Sequence, residues 1–123
     1  MDSIIRKALF FIVSAVWLSA VPWTAQAEFP DRPIKLIVPT PPGGGTDMTG
    51  RKLAEAAEKV LGQKVVVVNK PGAGGSIGMS VLTQVKPDGY TLAYVWNAPL
   101  TIVPHTMNVP YKTSDLTPIT QVT

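Results

Sequence analysis

The stretch Ile34-Lys-Leu-Ile-Val-Pro-Thr-Pro-Pro-Gly-Gly-Gly-Thr-Asp47 places a short apolar segment directly before a loop rich in proline and glycine. Its first five residues are β-branched or apolar apart from one lysine and are bounded by prolines, which predicts a strand over residues 34–38. Residues 39–45 have the composition of a loop. The chain therefore begins its folded part with a strand that leads into a glycine loop.

A helical period follows this loop from Thr46. Either Thr46 or Asp47 is expected to supply the N-cap oxygen. Gly62 stands where a left-handed residue commonly ends a helix. One apolar stripe is expected to face the core, because its members recur at helical spacing. The stripe consists of Leu53, Ala57, Val60 and Leu61.

The order of strand, glycine loop and helix then repeats. Residues 64–69, Lys-Val-Val-Val-Val-Asn, have a continuously apolar centre, which is typical of a strand covered on both faces. A second glycine loop covers residues 70–75, and Ser76 is expected to cap a helix that ends before the turn at residues 87–89. Residues 90–95 predict a third strand. The residues expected to face inward from the second helix are Ile77, Val81, Leu82 and Val85.

Three strands joined by two helices predict an α/β fold with a parallel βαβαβ core. Crossovers of this kind are almost always right-handed, so the loops after the three strands open on the same carboxyl edge. Open α/β sheets bind ligands at that edge. Beyond Pro104 further prolines interrupt any helix, and residues 116–122 fit either another strand or a crossing segment.

Composition excludes several classes of site. The chain has 123 residues, a net charge of +3 and no cysteine, so it forms no disulfide and no thiolate metal site. No run of Lys and Arg exceeds two residues, so the sequence has no basic cluster of the kind that binds nucleic acid. His105 is the sole histidine, lies in a polar stretch and is expected at the surface. We therefore expect no catalytic residues, no enzyme activity, no cofactor and no metal.

The first 27 residues predict a secretory signal peptide. Arg6-Lys7 precede an apolar run that ends before Pro22, and Ala25-Gln-Ala27 has the small residues of a cleavage site. A membrane span needs about 20 apolar residues, more than this run provides. Cleavage after Ala27 would release a mature chain into the periplasm, and that chain is not expected to be inserted in the membrane.

The two glycine loops are the candidate binding elements. A helix N-terminus presents unpaired N–H groups and attracts anions, and glycines let a ligand approach the backbone closely. Simple tight turns are the alternative interpretation of either loop. The dinucleotide pattern fails because Met48 stands where its third glycine belongs, and the P-loop pattern fails at Arg51-Lys52. Trp96 and Tyr94 beside the third loop would either wall a pocket or join the core.

Four stretches together resemble one family. They are Phe29-Pro-Asp-Arg-Pro-Ile-Lys-Leu-Ile-Val-Pro39, Pro42-Gly-Gly-Gly-Thr-Asp47, Val68-Asn-Lys-Pro-Gly-Ala-Gly-Gly75 and Lys86-Pro-Asp-Gly-Tyr-Thr-Leu92. In order and spacing they resemble the N-terminal part of the Bug-type periplasmic solute receptors of tripartite tricarboxylate transporters. The resemblance extends from residue 29 to about residue 122.

This resemblance implies a two-lobed Venus-flytrap protein that captures a small carboxylate and docks on membrane transporter subunits, as a monomer when full length. Residues 28–123 would be an incomplete first lobe. A periplasmic ligand sensor feeding a signalling partner would share every motif, and a nucleotide-binding Rossmann-like enzyme half is the weaker alternative. Backbone amides and bridging water are implied to hold the ligand. The implied ligand-binding residues are Pro42, Gly43, Gly44, Gly45, Thr46, Asp47, Asn69, Ala73, Gly74, Gly75, Asn97 and Ala98.

Overall fold

A computed structural model describes residues 28–122. The predicted signal peptide, residues 1–27, lies outside these residues. Two short 3₁₀ turns, Ala73–Gly75 and Thr113–Asp115, accompany the strands and helices. No helix within residues 28–122 has both the length and the apolar character needed to cross a membrane. The regular elements are β1 (Ile34–Val38), α1 (Gly45–Leu61), β2 (Val65–Asn69), α2 (Ser76–Thr83), β3 (Thr91–Ala93), α3 (Ala98–Thr101) and α4 (Val103–Thr106).

The three strands form one parallel sheet in the order β2-β1-β3. Val38, the last residue of β1, lies opposite Asn69, the last residue of β2. Ile37 lies opposite Ala93, which ends β3. The predicted parallel α/β core is therefore confirmed, and all three strands end at the same edge of the sheet.

The central strand β1 carries the core. Its apolar residues Ile34, Leu36, Ile37 and Val38 are all buried, while Lys35 is exposed. Burial of such side chains removes apolar surface from water, which is the main favourable term in folding. Because β1 has a neighbour on each side, its backbone groups are paired along both edges.

Helix α1 faces the sheet with small residues, which corrects part of the predicted stripe. Gly50 and Ala54 are buried. A Cβ atom on Gly50 would lie 3.0 Å from the Cγ2 atom of Val38, so the helix approaches the sheet closely at this point. Leu53 and Ala57 are half-buried, as the stripe predicts in part. The remaining members point away from the sheet: Val60 is 85% exposed, and Leu61 is exposed as well.

Strand β2 and helix α2 are less covered than the pattern predicts. Val66 is 51% exposed, so the prediction that β2 is buried on both faces is wrong for the described residues. The reason is that β2 is an edge strand. In α2 the buried residues are Ser76, Gly78 and Met79, whereas Val81 and Leu82 are half-buried. The two other residues predicted to face inward, Ile77 and Val85, are exposed.

The chain after β3 is more helical than its prolines predict. Pro99 and Pro104 each lie in the first turn of a four-residue helix, α3 and α4. Proline is compatible with that position because the first N–H groups of a helix have no intrahelical partner. Residues 116–122 form no strand and are mostly exposed, so that alternative is wrong for the part of the chain that is described.

We expect Gly78→Ala to destabilise the fold. A Cβ atom there would lie 2.7 Å from the Cβ of Pro39 and 3.1 Å from the carbonyl oxygen of Lys70. Such overpacking lowers the free energy of unfolding by about 1–3 kcal/mol, measured by urea denaturation. Gly45→Ala is the matched control, because a Cβ atom at Gly45 meets nothing within 4 Å. Equal stability of the two variants would contradict this packing.

Candidate functional site

Three loops leave the carboxyl edge of the sheet. Loop 1 (residues 39–44) follows β1, loop 2 (residues 70–75) follows β2, and loop 3 (residues 94–97) follows β3. The N–H of Lys70 donates to the carbonyl of Val38, and the N–H of Tyr94 donates to the carbonyl of Ile37, both at 2.9 Å. Hydrogen bonds to the end of β1 therefore fix the starts of loops 2 and 3. The predicted meeting of the three loops at one edge is confirmed.

Loop 1 ends at the N-terminus of α1. The N-cap is Gly44, with an extended backbone and no side-chain cap, so neither Thr46 nor Asp47 is the N-cap residue. The first helical hydrogen bond runs from the N–H of Met48 to the carbonyl of Gly44 at 2.9 Å. The N–H groups of Gly45, Thr46 and Asp47 precede it and have no acceptor in the helix. Loop 1 is exposed at Pro42, Gly43 and Gly44.

Asp47 lies beneath this helix end and is only 2% exposed. Its Oδ2 atom accepts hydrogen bonds from the N–H of Gly43 at 2.8 Å and from Nε of Arg51 at 3.0 Å. The hydrogen bond from Arg51, then those from Gly43 and Asn69, lower the pKa of Asp47 from its ordinary 3.8 to about 2. Asp47 is therefore an ionised, buried carboxylate at neutral pH.

Asn69 joins loop 1 to the end of β2. Its Nδ2 atom donates to Oδ1 of Asp47 at 2.8 Å and to the carbonyl of Thr40 at 3.0 Å. Its Oδ1 atom accepts from Nη2 of Arg51 at 3.1 Å. We call Asp47, Arg51 and Asn69 the polar ring. Because each member bonds to the other two, the ring holds α1, β2 and loop 1 together.

Loop 2 has an unusual backbone. Gly72, Ala73, Gly74 and Gly75 all have positive φ, and Ala73 at +46° is the non-glycine residue among them. A left-handed backbone is unfavourable in free energy for an L-residue that has a side chain, so the surrounding packing has to maintain it. The turn is closed by the N–H of Gly75, which donates to the carbonyl of Gly72 at 2.9 Å. Gly75, not Ser76, is the N-cap of α2.

Loops 2 and 3 pack against each other at Gly75. A Cβ atom there would lie 2.7 Å from Cγ of Pro99 and 3.1 Å from Cη2 of Trp96. Pro99 is itself held by the hydroxyl of Tyr111, which donates to its carbonyl at 2.7 Å. The structure thus places Trp96 against loop 2. Of the two predicted ligand residues nearby, Asn97 is exposed and Ala98 is half-buried.

Two further residues belong to this region although the sequence analysis did not select them. Arg51 lies four residues after Asp47, and this spacing of opposite charges on a helix is a signal that would have indicated their contact. The hydroxyl of Thr40 is buried without a hydrogen-bond partner among the described residues. Its position after the first strand carries no comparable sequence signal.

Other chemistry is not supported by residues 28–122. No group of three or more His, Cys, Asp or Glu residues in this range is arranged to hold a metal ion. His105 is exposed, as predicted. An open depression of about 480 Å³ lies on the outer face of α1, beside Arg51. It is lined by Met48, Thr49, Arg51, Lys52 and Glu55.

We expect the acid stability of the fold to depend on Asp47. Because its pKa is lowered on folding, its ionised form stabilises the folded state above about pH 4, and this contribution is lost as the pH falls towards 2. Asp47→Asn should therefore be less stable than the wild type at pH 7, and the difference should shrink between pH 4 and pH 2. Denaturation across this range measures it, with Glu28→Gln, at an exposed carboxylate, as the control. A difference that does not change with pH would contradict the assignment.

Comparison with known proteins agrees with this architecture. The sequence profile of the tripartite tricarboxylate transporter family receptor matches residues 49–123. The protein BugT of Bordetella pertussis is 45% identical over 106 residues, which are 84% of this chain and 32% of that protein. The chain thus spans about a third of the length of the curated relatives it matches.

Solved structures show the same fold. A periplasmic transporter protein is 39% identical with a TM-score of 0.66, covering 69% of this chain and 29% of that one. An R. palustris protein described with adipate is 38% identical with a TM-score of 0.52, covering 54% of this chain and 22% of that one. Since the family profile matches more than half of the chain and the parallel fold agrees, the chain belongs to the tripartite tricarboxylate transporter receptor family.

Proposed function

We propose that the chain is the first-lobe part of a periplasmic solute receptor that captures a small carboxylate for a tripartite tricarboxylate-type transporter. Residues 28–123 supply one side of the binding cleft in this proposal, and the transporter subunits in the membrane are the docking partners of the complete receptor. The receptor releases its ligand unchanged and performs no catalysis. Membership of the receptor family and the adipate in one related structure support this assignment.

The observation that carries the proposal is the exposed N-terminus of α1 at the sheet edge. Its first helical hydrogen bond starts at Met48, so the N–H groups of Gly45 and Thr46 are available to an acceptor. The positive end of the helix dipole favours an anion at the same place. A carboxylate presents two oxygens that accept such hydrogen bonds without any cationic side chain.

The buried hydroxyl of Thr40 supports a polar ligand next to loop 1. Buried polar atoms nearly always have a partner, and this one has none among the described residues. A ligand oxygen, or a water that bridges to it, would satisfy the hydroxyl. Thr40 is therefore added to the proposed contacts. The other proposed contacts, on the three loops and on the first residues of α1 and α3, are Pro42, Gly43, Gly44, Gly45, Thr46, Ala73, Gly74, Gly75, Asn97 and Ala98. Asp47 and Asn69, the remaining predicted ligand residues, lie in the polar ring beside them.

A titration of the ¹⁵N-labelled chain tests the proposal. We expect adipate to shift the amide signals of Gly45 and Thr46, with an affinity on the order of millimolar, because one side of a cleft makes few contacts. The neutral dimethyl ester of adipate is the control ligand. Thr40→Val should weaken adipate binding about threefold to tenfold, as expected for one lost hydrogen bond, without lowering thermal stability.

Two results would contradict the carboxylate receptor. The first is an ester that shifts the same signals as strongly as the diacid, since the ester lacks the charge that α1 attracts. The second is a preference for NAD or ATP over every carboxylate tested, which would favour the nucleotide-binding alternative. A loss of stability in Thr40→Val would show that its hydroxyl has a structural partner.

We also propose that the chain reaches the periplasm through a cleaved signal peptide. The small residues Ala25 and Ala27 and the short apolar run before them support cleavage after Ala27. Expression in a Gram-negative host should give a periplasmic product whose N-terminal residue is Glu28. Ala27→Leu should retain the longer precursor, whereas the control Ala20→Leu, within the apolar run, should be processed normally. A product that keeps Met1 in the wild type would overturn this assignment.

A further inference from the structure

The proposed anion site has an electrostatic difficulty. Asp47 is the third residue of α1 and is ionised, so its charge lies beside the amides that are proposed to bind a carboxylate. Like charges close to one another repel, so an ionised Asp47 disfavours a second negative charge at the neighbouring amides. The carboxylate of Asp47 also accepts a hydrogen bond from the N–H of Gly43 and itself occupies the positive end of the helix. An anion therefore binds here only if the charge of Asp47 is compensated.

Arg51 is placed to compensate it. Its Nε atom lies 3.0 Å from Oδ2 of Asp47, and its Nη2 atom lies 3.1 Å from Oδ1 of Asn69. A guanidinium with its several N–H groups can make both bonds at once, which a lysine ammonium on one flexible stem does less well. The side chain of Arg51 is 51% exposed, whereas that of Asp47 is 3% exposed. The cation thus lies on the solvent side of the buried carboxylate.

We propose that Arg51 is a positioning residue of the anion site: it neutralises Asp47 and, through Asn69, fixes loop 1 against the end of β2. Arg51 acts on the ligand indirectly, because it holds in place the carboxylate that binds the N–H of Gly43. With the ring intact, the amides of Gly45 and Thr46 face an incoming anion without a net opposing charge. This inference rests on the proposed function for the ligand and on the observed ring for the positioning.

The neighbouring charges of α1 do not share this role. Lys52, the next residue, is 82% exposed at its side chain and pairs with Glu55 at 3.3 Å. Lys59 pairs with the same glutamate at 3.4 Å. Both pairs lie on the solvent side of the helix, where ion pairs contribute little. Lys52 therefore offers a matched control with the same charge, one residue away and outside the ring.

The experiment compares the wild type with Arg51→Gln, Arg51→Lys and Lys52→Gln. The first readout is the titration of the Asp47 carboxyl by ¹³C NMR, which needs no ligand. The second is the affinity for adipate from the shifts of the Gly45 and Thr46 amides at pH 7, and the third is the melting temperature. The side chain of Arg51 is half exposed, so its replacement is expected to leave the fold intact. If Arg51→Gln nevertheless does not fold, Arg51→Lys, which keeps the charge, is compared with the wild type in its place.

Arg51→Gln should raise the pKa of Asp47 towards its ordinary value and weaken adipate binding about fivefold, as expected for the loss of one screened charge. Arg51→Lys should restore most of that affinity, and Lys52→Gln should leave the titration of Asp47 unchanged. If both glutamine variants weaken adipate equally while Asp47 titrates as before, the proposal is overturned. If Arg51→Gln changes the titration of Asp47 but leaves the affinity for adipate unchanged, the positioning role is overturned while the carboxylate receptor stands. If adipate binds to no variant, wild type included, the carboxylate receptor fails and the positioning role fails with it.

Discussion

The position of β1 between two parallel partners is the constraint on which the candidate site depends. Parallel pairing on both sides forces a crossover after each strand, so the chain returns twice to the same end of the sheet. The register then determines where each loop starts along the sheet edge: Val38 lies beside Asn69, and Ile37 lies beside Ala93. An order with β3 between β1 and β2 would separate the two glycine loops.

Close packing between loops 2 and 3 requires a glycine at position 75. Gly75 has a left-handed backbone and lies against Pro99 and Trp96 at distances that leave no room for a side chain. The carbonyl of Pro99 in turn is bound by Tyr111, so residues far along the chain set the shape of loop 2. Loop 1 differs, because only Pro39 at its start is buried, whereas residues 41–44 are exposed and the polar ring bonds to the loop at Thr40 and Gly43. Packing therefore fixes loop 2, and hydrogen bonds to the polar ring fix the exposed part of loop 1.

Sequence periodicity predicted the elements well and the faces of the helices less well. The strand at residues 34–38 agrees with the structure to the residue, and α1 and β2 each begin within one residue of the prediction. The helical spacing of apolar residues predicts Val60 in the core, but contact with the sheet is made by Gly50 and Ala54. A hydrophobicity pattern weights large residues, whereas close packing of a helix on a sheet selects small ones. The sequence analysis did not predict the polar ring, because only the contact between Asp47 and Arg51 has a helical spacing, whereas Asn69 reaches both of them from a different strand.

In the proposed receptor, the backbone amides of α1 and the polar ring have different roles, and this difference limits what the site can recognise. Backbone amides at a helix N-terminus bind any oxygen anion of suitable size, because they carry no side chain that distinguishes one acid from another. The members of the polar ring bond to one another, and in our proposal they balance the charge around these amides. Loop 1 and α1 would then recognise the carboxylate group, while the rest of a ligand is read by other side chains. Under this proposal, two receptors could share these loops and still differ in the acid they capture.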